Sequence, residues 1–160
     1  MLNNKKIVIT GIANKFSIAY GIAKSMSKNG AELAFLYQNE RLLKKIKPLA
    51  EDLGVETLVE CDVSSDASIA KAFQAIKSKW GNIDGLVHSI GFAPTDQLEG
   101  DFTEVTTREG FQIAHDISSY SFTALAKAAL PILNENSALL TLTYLGAVQS
   151  LPNYNVMGLA

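Results

Sequence analysis

A glycine directly after a short apolar segment is the first feature of this sequence that suggests chemistry. The stretch TGIANKFSIAYG, residues 10–21, follows the apolar run at Lys6–Ile9 and leads into a helical pattern. Dinucleotide-binding folds hold a pyrophosphate at such a strand-to-helix turn, against backbone N–H groups and a helix N-terminus. The usual G-x-G-x-x-G fingerprint is absent, because the stretch contains only Gly11 and Gly21. Two interpretations are open here: a long phosphate loop, or an ordinary turn without a ligand.

The residues of this loop suit a phosphate site in three ways. Gly11 has no Cβ, so it permits a sharp turn and a close approach of the backbone. The loop runs from Gly11 to Phe16, and Ser17 then offers a hydroxyl and a backbone N–H where it caps the helix. Ala19 and Gly21 are small enough to keep the helix close to the strand.

Polar residues follow three further predicted strands, where ligands of parallel sheets bind. Gln38 stands where NAD enzymes usually place an acid against the adenosine ribose, and a neutral amide still bonds that ribose. Glu40 would repel a 2′-phosphate, which favours NADH over NADPH, although Arg41 and Lys44 keep NADPH open. Asp62 is placed to accept from the adenine amino group; alternatively, it is a helix-start residue.

The fourth strand ends in the sequence His88-Ser89-Ile90-Gly91. Gly91 would let the backbone pass close to the adenosine ribose, or it is an ordinary glycine at the end of a strand.

Short apolar runs alternate with helical patterns along the whole chain. Strands are predicted at Ile7–Thr10, Glu32–Leu36, Thr57–Glu60, Gly85–Ser89 and Ala138–Thr143. Helices are predicted at Ile18–Lys28, Arg41–Leu53, Asp66–Lys79 and Phe111–Leu133. This alternation predicts a Rossmann-type α/β fold, a doubly wound parallel sheet with helices on both faces. Such a sheet needs a sixth strand, so we expect a single NAD-binding domain over 1–160 that stops before its C-terminal strands and substrate-covering helices.

Composition excludes several classes of function. With 160 residues, 48% hydrophobic and 19% charged, the sequence is that of a folded globular protein. A net charge of −2 argues against nucleic acid binding, and no apolar run is long enough to span a membrane. One cysteine, Cys61, and two distant histidines offer no metal site, and the absence of a disulfide framework favours a cytoplasmic location.

Three stretches carry a resemblance to a known family: VHSIGFAPTDQLEGD, REGFQIAHDISSYSF and LTLTYLGAVQSLPNYNVMGLA. Together they closely resemble the bacterial enoyl-acyl carrier protein reductases of fatty acid synthesis, the type often called FabI. These are divergent members of the short-chain dehydrogenase/reductase superfamily. The resemblance runs from Lys5 to Ala160 without a detectable gap. It favours the long phosphate loop, because this family carries G-x-x-x-x-x-S-I-A in place of the glycine-rich fingerprint.

The resemblance implies a set of site residues. The positions that match the family's NAD contacts are Gly11, Ser17, Ile18, Gln38, Asp62, Val63, Ser89, Ile90 and Gly91; Ala19 matches the last place of the loop pattern. Those that match the acyl-substrate pocket are Phe92, Ala93, Tyr144, Tyr154 and Met157.

Tyr144 and Tyr154 fall on the family's two active-site tyrosines; without the resemblance, Tyr144 is as much a candidate for the core. Ordinary short-chain dehydrogenases carry Tyr-x-x-x-Lys, whereas Gly158 stands four residues after Tyr154. Enoyl reductases place the lysine seven residues after the tyrosine, nearly two helical turns, so that both share one face. That position falls one past Ala160.

The resemblance implies NADH-dependent reduction of the trans-2 double bond of an enoyl thioester carried by acyl carrier protein, and a homotetramer. Two other functions remain as alternatives: a short-chain dehydrogenase acting on a carbonyl, and a nucleotide-binding chain without catalysis. Gly158 in place of lysine argues against the carbonyl dehydrogenase.

Overall fold

The computed structural model describes all residues, 1–160. Its strands are β1 (Lys6–Ile9), β2 (Glu32–Tyr37), β3 (Thr57–Glu60), β4 (Ile83–His88) and β5 (Leu133–Thr141). Its α-helices are α1 (Ile18–Lys28), α2 (Glu40–Asp52), α3 (Asp66–Trp80), α4 (Phe102–Val105), α5 (Arg108–His115), α6 (Ser121–Ala129) and α7 (Asn155–Leu159). Short 3₁₀ turns lie at Thr95–Gln97, Leu130–Ile132 and Leu145–Ala147, and a π-helical turn lies at Asp116–Tyr120. No helix has both the length and the apolarity to cross a bilayer.

The five strands form one parallel sheet in the order β3-β2-β1-β4-β5. Val8 of β1 is paired with Ala34 of β2 on one side and with Leu86 of β4 on the other. The strand order reverses between β1 and β4, which is where ligands of open α/β sheets bind. The predicted Rossmann-type fold is therefore confirmed.

Backbone contacts group the chain into two compact units, Met1–Ser89 with Ala124–Thr141, and Ile90–Thr123 with Leu142–Ala160. The first unit holds the sheet and two apolar cores, because successive side chains of a strand point to opposite faces. On one face, Val8 and Leu86 pack with α3 and with residues 124–129 of α6. On the other face, Ile9 and Phe35 pack with α1 and α2. Burial on both faces explains the continuous apolar runs of β1 and β2.

The two ends of α3 follow the expected local chemistry. The Ser65 hydroxyl accepts from the backbone N–H of Ser68 and caps α3. Beyond α3, Gly81 adopts a φ of +76°, which a residue without Cβ adopts at little cost.

The predicted helix over Phe111–Leu133 is wrong in its extent. The helical course begins at Arg108, where the Thr107 hydroxyl accepts from Gly110 N, and it passes through the π-helical turn. It ends near Pro131, which has no N–H to continue the hydrogen-bond ladder, and Leu133 begins β5.

The fifth strand begins five residues earlier than Ala138. Leu133 pairs with Ile83 and Ala138 with Gly85, so the polar segment between them bulges, and Asn136 adopts a φ of +60°. The polar residues Asn134 to Asn136 conceal this part of the strand from periodicity analysis.

The second unit is held by side-chain bonds to backbone groups. Gln97 is buried, and its Oε1 accepts from the N–H of Thr107 at 2.9 Å. Asn155 Nδ2 donates to the carbonyls of Leu98 and Gly100, at 3.2 and 3.3 Å. These bonds fix the segment around residues 97–107 and the start of α7 within one unit.

Candidate cofactor and active site

Ser17 does not cap α1 with its side chain, contrary to the sequence prediction. It occupies the N-cap position, but its Oγ accepts from the backbone N–H groups of Ala13 and Asn14, both at 3.0 Å. The hydroxyl therefore folds the long loop back on itself. The first amides of α1, at Ile18 and Ala19, have no partner within the helix and no side-chain cap. The first turn also carries no acidic residue.

Gly11 is fixed by its contact with the end of β4. Its φ is +85°, and a Cβ on it would overlap the carbonyl oxygen of Ser89. The glycine is thus required both by conformation and by space. Gly21 differs: a Cβ there would meet nothing within 4 Å, so the prediction that it keeps helix and strand close is wrong. Ala19, which is fully buried, fills that role.

Thr10 ties the ends of β1 and β4 together and was not predicted as part of the site. It is buried, its hydroxyl donates to Val87 O at 3.1 Å, and that hydroxyl accepts from Ser89 N at 3.3 Å. No sequence signal marks this role, because Thr10 and Ser89 are far apart along the chain.

Gln38 and Asp62 follow neighbouring strands of the parallel sheet, at the same edge. Gln38 is exposed, with its Oε1 3.4 Å from Asn39 Nδ2. Asp62 Oδ1 accepts from the N–H and the hydroxyl of Ser64, at 3.1 and 2.8 Å. These two bonds form a turn just before Ser65, the N-cap of α3. The turn agrees with the interpretation of Asp62 as a residue that precedes a helix. Val63, the next residue, packs in part against the core.

Negative charge gathers where β2 ends. Partial burial raises the pKa of the Tyr37 hydroxyl, and the carboxylates of Glu60 and Glu40 raise it further. The same carboxylates disfavour any second anion at this place, such as a 2′-phosphate.

Tyr144 and Tyr154 lie together in the second unit. Their ring centroids are 4.7 Å apart and the planes are tilted by 37°. Gly146 lies beside both rings: a Cβ on it would lie 3.1 Å from Tyr154 Cδ1 and 3.3 Å from Tyr144 Cδ1, closer than an ordinary van der Waals contact. Sequence analysis did not single out Gly146, because only the folded loop brings it close to both rings.

The backbone around Tyr154 is unusual. Asn153 and Asn155 on either side of it have φ values of +59° and +35°. Such values are costly for residues other than glycine, although asparagine tolerates them better than most. The bonds of Asn155 to Leu98 and Gly100 hold this conformation, so Tyr154 stands at a fixed position at the start of α7.

The residues after β4 contact α7 within the second unit. The Met157 ε-methyl lies 3.4 Å from the place of a Cβ on Gly91. Phe92 is half exposed, and its backbone bonds to Ser118, a residue that sequence analysis did not consider. Ile90 and Ala93, beside them, are partly buried.

The remaining titratable candidates have structural roles. His88 is buried, which lowers its pKa, and its Nδ1 lies 3.3 Å from Thr141 Oγ1. His115 stacks on Phe111, with centroids 3.9 Å apart. Burial, followed by the charge of Asp62, raises the pKa of the Cys61 thiol to about 12. No group of three or more His, Cys, Asp or Glu side chains comes together to hold a metal ion.

Comparison with known proteins agrees with this arrangement. The sequence model of the family described as "Enoyl-(Acyl carrier protein) reductase" matches residues 11–160. The chain belongs to this family. The match begins at Gly11 and includes both tyrosines, so it spans the two compact units.

Relatives of the enoyl-(acyl carrier protein) reductase family are similar over nearly the whole chain. The enoyl-acyl-carrier-protein reductase (NADH) FabI of Escherichia coli (strain K12) is 58% identical over 159 residues, which are 99% of this chain and 61% of that protein. The protein of the same name from Enterococcus faecalis (strain ATCC 700802 / V583) is 51% identical over 159 residues, 99% of this chain and 62% of that protein. The chain therefore spans about three fifths of the length of these relatives.

Solved structures of the same family have the same fold. The enoyl-acyl-carrier-protein reductase (NADH) of Aquifex aeolicus VF5 superposes with a TM-score of 0.96 at 46% identity, covering 99% of this chain and 63% of that one. The enzyme of Anaplasma phagocytophilum, crystallised in complex with NAD, superposes with a TM-score of 0.95 at 41% identity, covering 99% of this chain and 60% of that one.

Proposed function

We propose that this protein reduces the trans-2 double bond of an enoyl thioester on acyl carrier protein, with NADH as the hydride donor, in fatty acid biosynthesis. The pairing of Tyr144 with Tyr154 is the observation that carries the proposal. It places two phenol groups together in a chain that is 58% identical to an enzyme named for this reaction.

The first unit contains a place suited to the pyrophosphate of a dinucleotide. Gly11 brings its backbone against Ser89 without a side chain in between, which leaves a turn that a Cβ would fill. Ser17 orders the loop, while the uncapped amides of Ile18 and Ala19 stay available to an anion. A helix N-terminus without acidic residues attracts phosphate through its dipole and its N–H groups.

The same unit would hold the adenosine end of the cofactor. Gln38 is exposed for hydrogen bonds to the ribose, and Asp62 Oδ2 is not used in the bonds to Ser64. Asp62 and Val63 would contact the adenine, and Ser89, Ile90 and Gly91 would line the course of the cofactor. The carboxylates of Glu40 and Glu60 favour NADH over NADPH, because they would repel a 2′-phosphate.

A bound NADH would supply a hydride to the β-carbon of the substrate. Electron density would then move onto the thioester carbonyl oxygen as an enolate, and a proton from water at the α-carbon would complete the reduction. We propose that the Tyr154 hydroxyl donates a hydrogen bond to this oxygen and so stabilises the developing charge more than the ground state. Tyr144 would position the thioester. The apolar wall of the pocket would come from Phe92, Ala93 and Met157.

Gly158 bears on the alternative of a carbonyl dehydrogenase. Ordinary short-chain dehydrogenases carry a lysine four residues after the tyrosine, and this chain carries Gly158 there. The residue supports the enoyl reductase, whose lysine lies seven residues after the tyrosine.

Acyl carrier protein is the proposed macromolecular partner, and a homotetramer is the proposed assembly. The resemblance to the family is what supports the homotetramer. We also propose a cytoplasmic location, in keeping with one buried thiol and no disulfide.

The test follows NADH absorbance after a 2-enoyl thioester is added to the complete protein. Oxidation that depends on the enoyl substrate, with a smaller rate for NADPH, is the expected result. Turnover of a 3-oxoacyl substrate without any turnover of the enoyl thioester would replace the proposal by a carbonyl dehydrogenase. NADH binding without oxidation by either substrate would replace it by a non-catalytic role.

A further inference from the structure

The backbone of Phe92 is held by one hydroxyl. The N–H of Phe92 donates to Ser118 Oγ at 2.9 Å, and Ser118 Oγ–H donates back to the carbonyl of Phe92 at 3.0 Å. A single side chain thus satisfies both backbone groups of one residue, as a neighbouring strand would. Meanwhile the phenyl ring of Phe92 is 50% exposed. The residue is therefore anchored through its backbone while its side chain faces outward.

The π-helical turn brings Ser118 to this position. Ser118 is the middle residue of Asp116–Tyr120, which separates α5 from α6. A π turn inserts one residue and changes the direction of the side chains that follow, and it costs helix stability. The hydroxyl of Ser121 donates to Ile117 O at 2.7 Å and so satisfies a carbonyl within this turn. Such turns occur frequently at functional sites.

Ser118 also contacts α7. Its Oγ lies 3.7 Å from Met157 Sδ, and the ε-methyl of Met157 packs against Gly91, the neighbour of Phe92. The backbone N–H of Met157 in turn donates to Tyr154 O at 2.9 Å. Ser118 is therefore the side chain that joins the segment after β4 to the turn that carries Tyr154.

We propose that Ser118 is a positioning residue, which fixes the Phe92 backbone beside Met157 and thereby holds the wall that receives the acyl chain. This inference rests on the proposed function. In this role the π turn determines where Ser118 lies, and Ser118 in turn determines how an enoyl chain lies against Tyr154. Ser118 needs no contact with the reacting atoms for this role.

The test compares Ser118→Ala and Ser118→Cys with Ser119→Ala in the complete protein. Cysteine keeps the volume of serine but bonds weakly, so it separates loss of the anchor from loss of packing. Ser119 is an exposed neighbour in the same π turn, and its alanine variant serves as the control. We measure the KM for the enoyl thioester, kcat, the Kd for NADH, and amide hydrogen exchange at Phe92.

Both Ser118 variants should raise the KM for the enoyl thioester about tenfold, because a displaced wall misplaces the acyl chain. The Kd for NADH should stay within about twofold, and kcat should change less than the KM. The Phe92 amide should exchange at least about tenfold faster, since its acceptor is lost or weakened. Ser119→Ala should match the wild type in KM, in kcat, in the Kd for NADH and in the exchange rate of the Phe92 amide.

An active wild type whose Ser118 variants keep the same KM, or the same Phe92 exchange, would overturn the inference alone. A wild type that does not oxidise NADH with an enoyl thioester would overturn the proposed function and the acyl-wall role with it. The exchange rate at Phe92 distinguishes the two failures, because it reports the anchor without turnover.

Discussion

The rings of Tyr144 and Tyr154 lie with their centroids 4.7 Å apart, and Gly146 lies beside both of them. Tyr144 is 55% exposed, whereas Tyr154 is partly buried at the start of α7. The side chain of Tyr144 is thus less confined by its surroundings than the side chain of Tyr154. Tyr154 is the better fixed of the two and the better donor to a charge that develops at one point in space.

Tyr154→Phe should lower kcat by about 10²- to 10³-fold, because the donor to the enolate oxygen is lost. KM and the Kd for NADH should change only a few-fold, since the ring remains. The measurement is NADH oxidation with an enoyl thioester at saturating substrate. Tyr20→Phe removes the same atom from α1 and should keep wild-type turnover; wild-type turnover in Tyr154→Phe would contradict the role.

Gly11→Ala should lower the free energy of unfolding by about 2 kcal/mol or more, through positive φ and the clash with Ser89 O. It should also weaken NADH binding more than about tenfold, because the turn must open. Urea unfolding and fluorescence titration with NADH measure the two effects.

Gly21→Ala is the matched control, since its Cβ meets nothing and the residue lies inside α1. It should raise the free energy of unfolding by up to about 1 kcal/mol. Equal effects of the two alanine substitutions would show that Gly11 is not held as the structure indicates.

The Cys61 thiol should resist alkylation in the folded protein. Its pKa is raised to about 12, so at pH 8 only a fraction on the order of 10⁻⁴ is thiolate, the reactive form. Iodoacetamide labelling followed by mass measurement should show no modification until urea unfolds the chain. Rapid labelling without denaturant would contradict the burial of Cys61.

Asp84 should contribute stability that depends on pH. Burial acts to raise its pKa, but hydrogen bonds from Lys6 N–H, Lys5 Nζ and Asn134 Nδ2 together lower it below its usual value. A lowered folded-state pKa means that the contribution is full above the unfolded-state pKa of about 4 and is lost as pH falls through the folded-state pKa.

Asp84→Asn should therefore lower the free energy of unfolding by about 1–2 kcal/mol at pH 7. Below about pH 4 the substitution should lower it by less. Urea unfolding of both proteins at a series of pH values gives the difference. Glu51→Gln, on the exposed side of α2, should show no such difference. A difference that grows as pH falls below 4 would contradict the sign.

Several elements could be predicted from local sequence. Apolar runs gave β1, β2 and β3 within a residue of their bounds, and the periodicity of α1 was correct from Ile18 to Lys28. The turn glycine Gly11 could also be found, since its position after a strand is a local property. The start of β5 could not be predicted, because polar residues interrupt its apolar pattern. The π turn could not be predicted either, because the helical periodicity of the sequence continues through it.

The sequence by itself determined the parallel α/β sheet, the long loop after β1 and, through resemblance, the positions of the proposed site. Only the tertiary structure decided that Thr10 joins β1 to β4, that Gly146 lies beside two tyrosine rings, and that Ser118 anchors Phe92. Backbone propensity and burial pattern act over a few residues and leave a periodic trace. Hydrogen bonds and ring contacts between distant residues leave none, because their partners are chosen by the fold.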